Sequence, residues 1–319
     1  MHVTVGIITF CRPDRLRALL LSLDRLTFTG RRPTLDVIIA DNDPSGSARY
    51  PVEDAAWDIA LPVRYVIEPR AGIPFARNRI VTELPPEAEF LAFIDDDEVA
   101  DPGWLQALLD AGRSYGADVV AGPVLRRFDP GTPDWVTKGT LFHRARYETG
   151  TVRDTADTGN VLTHRRVFER FSPPFDESIG QAGGSDREFY RRVSNAGFKI
   201  VYANDAIVHE RVPADRATAK WVLRRGFHGG NQLALNALTD DASFRQRFQL
   251  FASAMWSWIK GALMMLPLSL VQGKRGLLRA LWHFHNGAGV MAGLRGSRLH
   301  QYGRDGRDER DPADSSTDS

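Results

Sequence analysis

The chain has 319 residues, 43% of them hydrophobic, enough to bury a sizeable core as one large or two modest domains. A formal net charge of +1 excludes a global polycation built for nucleic acid, and the single cysteine, Cys11, excludes an intramolecular disulfide framework, so a reducing cytoplasm is the expected compartment. The balance is uneven: no Asp or Glu occurs from Ala242 through Arg304, where Arg245, Arg247, Lys260, Lys274, Arg275, Arg279, Arg295, Arg298 and Arg304 all occur.

The opening Met1 to Thr9 lacks the charged n-region and cleavage site of a secretory signal, and its β-branched run from Val3 reads as a first strand. Pro13 then opens a helix with Leu16, Leu19, Leu20, Leu23 and Leu26 on one face. Leu35 to Ala40 repeats the strand pattern and ends at the turn-forming Asp41-Asn42-Asp43-Pro44. Val63 to Ile67 is a third strand, Pro74 to Leu84 a helix and Phe90 to Ile94 a fourth strand. This alternation over roughly the first 115 residues predicts an α/β fold with a mostly parallel sheet.

The fourth strand runs into Asp95-Asp96-Asp97-Glu98. Carboxylates this close raise one another's pKa values, so the cluster needs a metal or several cationic groups to offset it. Hard divalent ions take oxygen ligands and usually share them with a substrate's phosphates; a solvated acidic loop is the alternative. Asp101-Pro102-Gly103-Trp104 then reads as an N-cap Asp with Pro at the first helical position. The acidic turn thus falls on the strand-end edge where open α/β sheets bind ligands.

Ala117 to Gly122 adds a strand, and the loops around Phe128 to Trp135 and Arg153 to Gly159 are rich in Pro, Gly and Asp. Gly184-Ser185-Asp186 precedes a helical pattern from Arg187 to Ala196, placing Asp186 at a helix N-terminus. Lys199 to Ala203 and Ala206 to Val208 read as short strands, the second ending at His209. From Ala217 the pattern is helical. Phe248 to Val271 is strongly apolar, with Trp256 and Trp258 near its centre, Lys260 interrupting it and Pro267 breaking its end. Trp104, Trp135 and Trp221 are of the type that stacks on sugar rings, with core packing their default.

Five motifs in order then resemble the family 2 glycosyltransferases of GT-A fold, above all the bacterial succinoglycan-type exopolysaccharide branch, over residues 3 to 210. They are Val5 to Pro13, Asp41-Asn42-Asp43, Ala71 to Asn78, Asp95-Asp96-Asp97 and Gly184-Ser185-Asp186. The resemblance implies donor contacts by Thr9, Arg12, Asp41, Arg77, Asn78 and Asp96. It implies a divalent cation (Mg or Mn) on Asp95, Asp97 and His209, and Asp186 as catalytic base. Asn160 and Ser185 are expected on the acceptor side, Ser185 standing where the family commonly has Glu.

The implied enzyme is an inverting glycosyltransferase that moves a sugar from a nucleotide donor, expected to be a UDP-hexose, to a glycan or lipid-linked glycan. The expected domains are a GT-A catalytic domain over 1–215, divided into a nucleotide-sugar half (1–115) and an acceptor half (116–215), then a helical region over 216–302 and a disordered tail over 303–319. Leu250 to Val271 is long enough to span a bilayer, but Lys260 and Pro267 favour interfacial or re-entrant helices on the cytoplasmic membrane face. A nucleotidyltransferase is the competing enzyme, disfavoured because Thr9 to Pro13 holds no glycine for a triphosphate loop; a non-catalytic glycan-assembly subunit is the other alternative.

Overall fold

The computed structural model describes residues 1–297 except 140, 142–144, 181–182, 214–216 and 239–242. The tail expected to be disordered lies outside the described residues. The chain forms two compact units, one of Met1–Leu125 and Arg144–Glu210, the other of the described residues of Arg126–His143 and Arg211–Gln301.

The first unit begins β1 (His2–Thr9), α1 (Pro13–Asp24), β2 (Thr34–Asp41), α2 (Arg49–Ala56), β3 (Val63–Ile67), α3 (Ile73–Thr82), β4 (Phe90–Ile94), β5 (Glu98–Ala100) and α4 (Trp104–Tyr115). After β6 (Val119–Ala121) and β7 (Val124–Phe128) the chain passes through α5 (Asp134–Thr137), which belongs to the second unit, and continues with β8 (Val152–Arg153), β9 (Asn160–His164), α6 (Arg165–Arg170), α7 (Ser185–Asn195), β10 (Ile200–Tyr202) and β11 (Val208–Val212). Eight strands form one sheet in the order β3-β2-β1-β4-β9-β6-β10-β8. β1 pairs in parallel with β2 and β4, while β9 enters antiparallel between β4 and β6.

Period-2 alternation puts a core on each face of this sheet. Val3, Val5 and Ile7 meet the leucine stripe of α1 and the Trp104, Leu105 and Leu108 face of α4. Ile38, Ala40, Leu91 and Phe93 meet Ala76 and Ile80 of α3 and Phe189, Tyr190 and Val193 of α7. Gly6 permits the approach of α3, since a Cβ there would lie 2.8 Å from Ile80 Cγ2. Removing a side chain such as Phe93 costs about 3–5 kcal/mol in a core of this kind.

Three expectations change. Helix α4 starts at Trp104 with Gly103 as its N-cap, because the Asp101 carbonyl accepts the Trp104 N–H in a turn and the Asp101 carboxylate is engaged by His209. His209 lies inside β11, which extends to Val212, rather than at a strand end. Pro267 does not end its helix.

The second unit contains α8 (Ala219–Ala237), α9 (Phe244–Gln272) and α10 (Lys274–Leu294). A capping box starts α9: Ser243 Oγ accepts from Gln246 N, and the Gln246 side chain accepts from Ser243 N. α10 packs closely on both other helices. Cβ atoms at Gly276 and Gly287 would strike the Leu268 and Ala254 carbonyls of α9, and one at Gly289 would strike the Phe227 carbonyl of α8. Packing on both sides of Pro267 keeps α9 continuous through it, tertiary contact overriding local propensity.

Candidate active site

The C-terminal ends of the parallel strands β1, β2 and β4 share one edge of the first unit. Registering Thr9 with Asp41 aligns β1 and β2 there, and Thr9 Oγ1 donates to Asp96 Oδ2 at 2.8 Å, tying β1 to the turn after β4. Both residues are buried. Burial, then the neighbouring Asp97 charge, pushes the Asp96 carboxyl up to about 6. Thr9 and Asp96, expected at the donor, therefore engage each other.

Cys11 takes a positive φ of 51°, rare for a residue with a side chain, and carries the chain from β1 into Arg12 and α1. Arg15 Nη1 lies 3.3 Å and Arg12 Nη1 3.7 Å from Asp97 Oδ2. The Asp95 amide donates to Glu98 Oε2 at 3.1 Å. A Cβ on Gly159 would stand 3.0 Å from both Asp95 Oδ2 and Glu98 Oε1, so a glycine leaves these carboxylates their space.

Asp41, fully buried at the end of β2, accepts from the Asp43 and Ala48 amides at 3.0 Å each and from the Tyr65 hydroxyl at 2.5 Å. Burial and that carboxylate push the Tyr65 phenol well above its usual range. Burial also opposes ionisation of Asp43, yet hydrogen bonds from the Ser45 hydroxyl and amide and from Cys11 help outweigh it and hold its carboxyl down to about 2. Asn42 staples this loop to the next, donating to the Glu68 and Arg70 carbonyls and accepting from Gly72 N at 2.8 Å.

Gly72, at φ 141°, precedes α3 and its Arg77 and Asn78. The guanidinium of Arg77 is buried: Nη1 donates to Ser185 Oγ at 2.8 Å, and Nη2 lies 3.8 Å from Asp186 Oδ2. Asn78 donates to the Phe175 carbonyl and Glu177 Oε1 and accepts from Phe175 N, so it fastens a loop rather than presenting an open amide. Gly184, in the left-handed region at φ 86°, turns the chain into α7 and sets Asp186 in its first turn. Asp186 Oδ2 accepts from Thr158 N at 3.4 Å, and its side chain keeps 18% exposure. Arg187 Nε bonds Asp157 Oδ1 at 2.9 Å, holding the same loop against α7.

Two expected residues are engaged elsewhere. Asn160 accepts from Trp104 Nε1 at 2.8 Å and donates to the Pro123 and Ala206 carbonyls at 2.9 and 2.7 Å, a buried amide that ties neighbouring segments together. His209 Nε2 lies 2.9 Å from Asp101 Oδ1 and is not brought into an array with Asp95 and Asp97. Among the described residues no three His, Cys, Asp or Glu side chains form a metal-binding group. Asp95 and Asp97 remain hard oxygen donors at the strand end. They fit an ion such as Mg²⁺, which takes one or two carboxylates and completes its shell with water and substrate phosphates.

The glycosyl transferase family 2 model matches residues 4–172. The chain belongs to this family. It is 34% identical over 307 residues to the succinoglycan biosynthesis protein ExoM of Rhizobium meliloti (strain 1021), covering 95% of this chain and 96% of that protein. It is 24% identical over 249 residues to a glucosyl-dolichyl phosphate glucuronosyltransferase of Haloferax volcanii, covering 72% and 75% of the two chains. Among solved structures, the mannosyltransferase PcManGT of Pyrobaculum calidifontis, in complex with GDP-Man and Mn²⁺, superposes with a TM-score of 0.62 at 16% identity over 92% of this chain and 87% of that one. S. aureus TarS 1–349, in complex with UDP, gives 0.50 at 16% over 95% and 93%. The family 2 chain is thus a glycosyltransferase of GT-A fold, as its motifs led one to expect.

Sequence reading did not find Arg15, the Asn42 staple or the space kept by Gly159. Arg15 and Asn42 stood inside or beside quoted motifs, but only their partners in space reveal what they do.

Proposed function

We propose that this chain is a metal-dependent inverting glycosyltransferase that moves a sugar from a nucleoside diphosphate donor, a UDP-hexose, to a growing lipid-linked glycan in exopolysaccharide synthesis. The observation that carries the reading is Arg77, a buried guanidinium on donor-side helix α3 whose fork ends on Ser185 and beside Asp186. It couples the donor segment to Asp186, the carboxylate proposed as the base. The ExoM similarity supports the glycan class, and PcManGT with GDP-Man and Mn²⁺ supports a nucleotide-sugar donor and a divalent ion.

In the reaction the acceptor hydroxyl oxygen bonds to the anomeric carbon as the bond from that carbon to the diphosphate oxygen breaks. Asp186 takes the hydroxyl proton, and the electron pair leaves with the nucleoside diphosphate. One displacement inverts the configuration. Arg77 keeps the Asp186 carboxylate oriented, while Arg12 and Arg15 hold Asp97 in place. A divalent ion on Asp95 and Asp97 would act as a Lewis acid toward the departing diphosphate.

The second unit supports peripheral attachment to the cytoplasmic membrane face. Among the described residues α9 alone is long and apolar enough to cross a bilayer by length and composition, and Lys260 in its middle favours an interfacial position. Metal-dependent release of nucleotide from a panel of UDP-, GDP- and dTDP-sugars tests the transferase reading. Release from a UDP-hexose that stops with chelator is expected. Equal release with all metal removed, or none from any donor with lipid-linked glycan present, would contradict it.

A further inference from the structure

Within the second unit, a cavity of about 350 Å³ is lined by Trp135, Lys138, Leu141, Arg275, Leu278 and Arg279, with Gln272 at the end of α9 on its rim. Its chemistry is cationic and aromatic. Lys274 Nζ stands 5.1 Å over the Trp135 ring, and Lys138 bonds Asp134 Oδ2 at 2.5 Å. Lys138 and Arg275 both act on the Asp134 carboxylate, so Arg279 and Lys274 add positive charge here beyond what that carboxylate offsets. Arg275 and Arg279 are half-buried, Arg275 within electrostatic reach of Asp134 and Arg279 of His283. Guanidinium groups in such a setting bind phosphate oxygens through their planar forks.

α9 also carries an exposed apolar face, whose last residue, Leu270, stands two positions before Gln272. Phe244, Phe248, Phe251, Met255, Ile259, Leu263, Leu266 and Leu270 follow one another at three- and four-residue spacing and form one exposed stripe along α9, while Leu250, Ala254, Ser257 and Gly261 are buried on the same helix. At the cavity end the exposure reaches 73% at Leu266 and 82% at Leu270 and Val271. The 29 residues of α9 extend about 43 Å at 1.5 Å per residue, long enough to lie along a membrane surface. Lys260 lies over the Trp256 ring at 5.4 Å, an arrangement that keeps its charge at the edge of the stripe. A second copy of the chain is a poor occupant, because α9 and α10 carry Arg245, Arg247, Lys260, Lys274, Arg275 and Arg279 and no acid to face them. An anionic bilayer complements both the stripe and the charge.

We propose that the Lys138–Arg275–Arg279 cavity holds the phosphate headgroup of an anionic lipid whose chain lies along the exposed apolar face of α9. This rests on the membrane reading above and deepens it by naming the group that is held.

The test is flotation of the full chain, without donor, on phosphatidylcholine vesicles carrying either phosphatidic acid or phosphatidylserine at matched surface charge. The expected result is preference for the phosphate monoester of phosphatidic acid. The double variant Arg275→Gln, Arg279→Gln should bind those vesicles at least about tenfold more weakly and lose the preference. Arg245→Gln with Arg247→Gln removes the same charge outside the cavity, so it should weaken both vesicle types and keep the preference. Equal effects of the two double variants, no preference in the wild type, or no vesicle binding at all would overturn the proposal. Displacement of the chain from phosphatidic acid vesicles by millimolar inorganic pyrophosphate would assign the cavity to a free anion and overturn the lipid source. A chain that releases nucleotide but ignores phosphatidic acid refutes this inference alone, whereas one that binds the lipid and never releases nucleotide counts against the transferase reading alone.

Discussion

Arg77 Nη1 donates to Ser185 Oγ at 2.8 Å, with both residues buried and separated by 108 positions in the chain. A buried guanidinium that loses an acceptor keeps its desolvation cost, so Ser185→Ala should lower stability by about 1.5–3 kcal/mol. It should also slow transfer, because Arg77 is then free to shift against Asp186. Urea unfolding and single-turnover transfer check this together. A variant with wild-type stability and full rate would mean that the bond positions nothing.

Asn160→Ala separates a structural role from an acceptor role. It removes one accepted and two donated hydrogen bonds and leaves Trp104 Nε1 and the Ala206 carbonyl without these partners, while Pro123 O keeps the Val208 N–H, at a cost of about 2 kcal/mol. The KM for acceptor should not change in the protein that remains folded. A normal melting curve with a raised acceptor KM would restore the acceptor-side assignment.

Gly159→Ala probes the metal role proposed for Asp95. The added Cβ would press on Asp95 Oδ2 and Glu98 Oε1 at 3.0 Å, and supporting contacts of this kind are worth about 10–100-fold in metal affinity. The Mg²⁺ or Mn²⁺ concentration for half-maximal activity should rise by about tenfold, with nucleotide affinity in excess metal little changed. An unchanged metal requirement would remove Asp95 from the ion's ligands.

Asp43 gives an acid-range signature. Its carboxyl is held down to about 2 against an ordinary value of 3.8, so the native state binds fewer protons than the unfolded chain between those values. The stabilisation is complete above about pH 4 and is lost as pH falls through 2. Asp43→Asn should lower Tm at neutral pH and flatten the fall in Tm between pH 4 and 2. A parallel downward displacement at every pH would show that the charge is not responsible.

Much of the donor side was legible because it is local. The apolar runs ending at Ile67 and Ile94, the leucine stripe of α1 and the acidic turn after β4 each depend on near neighbours in sequence, and the strands Val63–Ile67 and Phe90–Ile94 form with those bounds. The acceptor side depends on distant pairing. Strand β9 is as long as β3 and β4, but Asn160, Thr163 and His164 among its five residues leave no apolar run to announce it, yet it enters antiparallel between β4 and β6 and carries Asn160 into the interior. The spacing of Asp101 and Pro102 gave a sound local reason for an N-cap, but it could not foresee His209, 108 residues on, taking the carboxylate. Pro267 failed as a helix breaker for the same reason: contacts from α10, invisible in the sequence of α9, hold the helix on both sides of it.

The central claim is that Asp186 removes the proton from the acceptor hydroxyl in a single inverting displacement. Its most direct measurement is the single-turnover rate of Asp186→Asn with donor and acceptor saturating, alongside donor affinity measured by calorimetry. The account predicts a rate loss of about 10²-fold to 10⁴-fold, the scale of a missing general base, with donor affinity kept. An unchanged rate accompanied by weakened donor binding would place Asp186 in the donor site and contradict the mechanism.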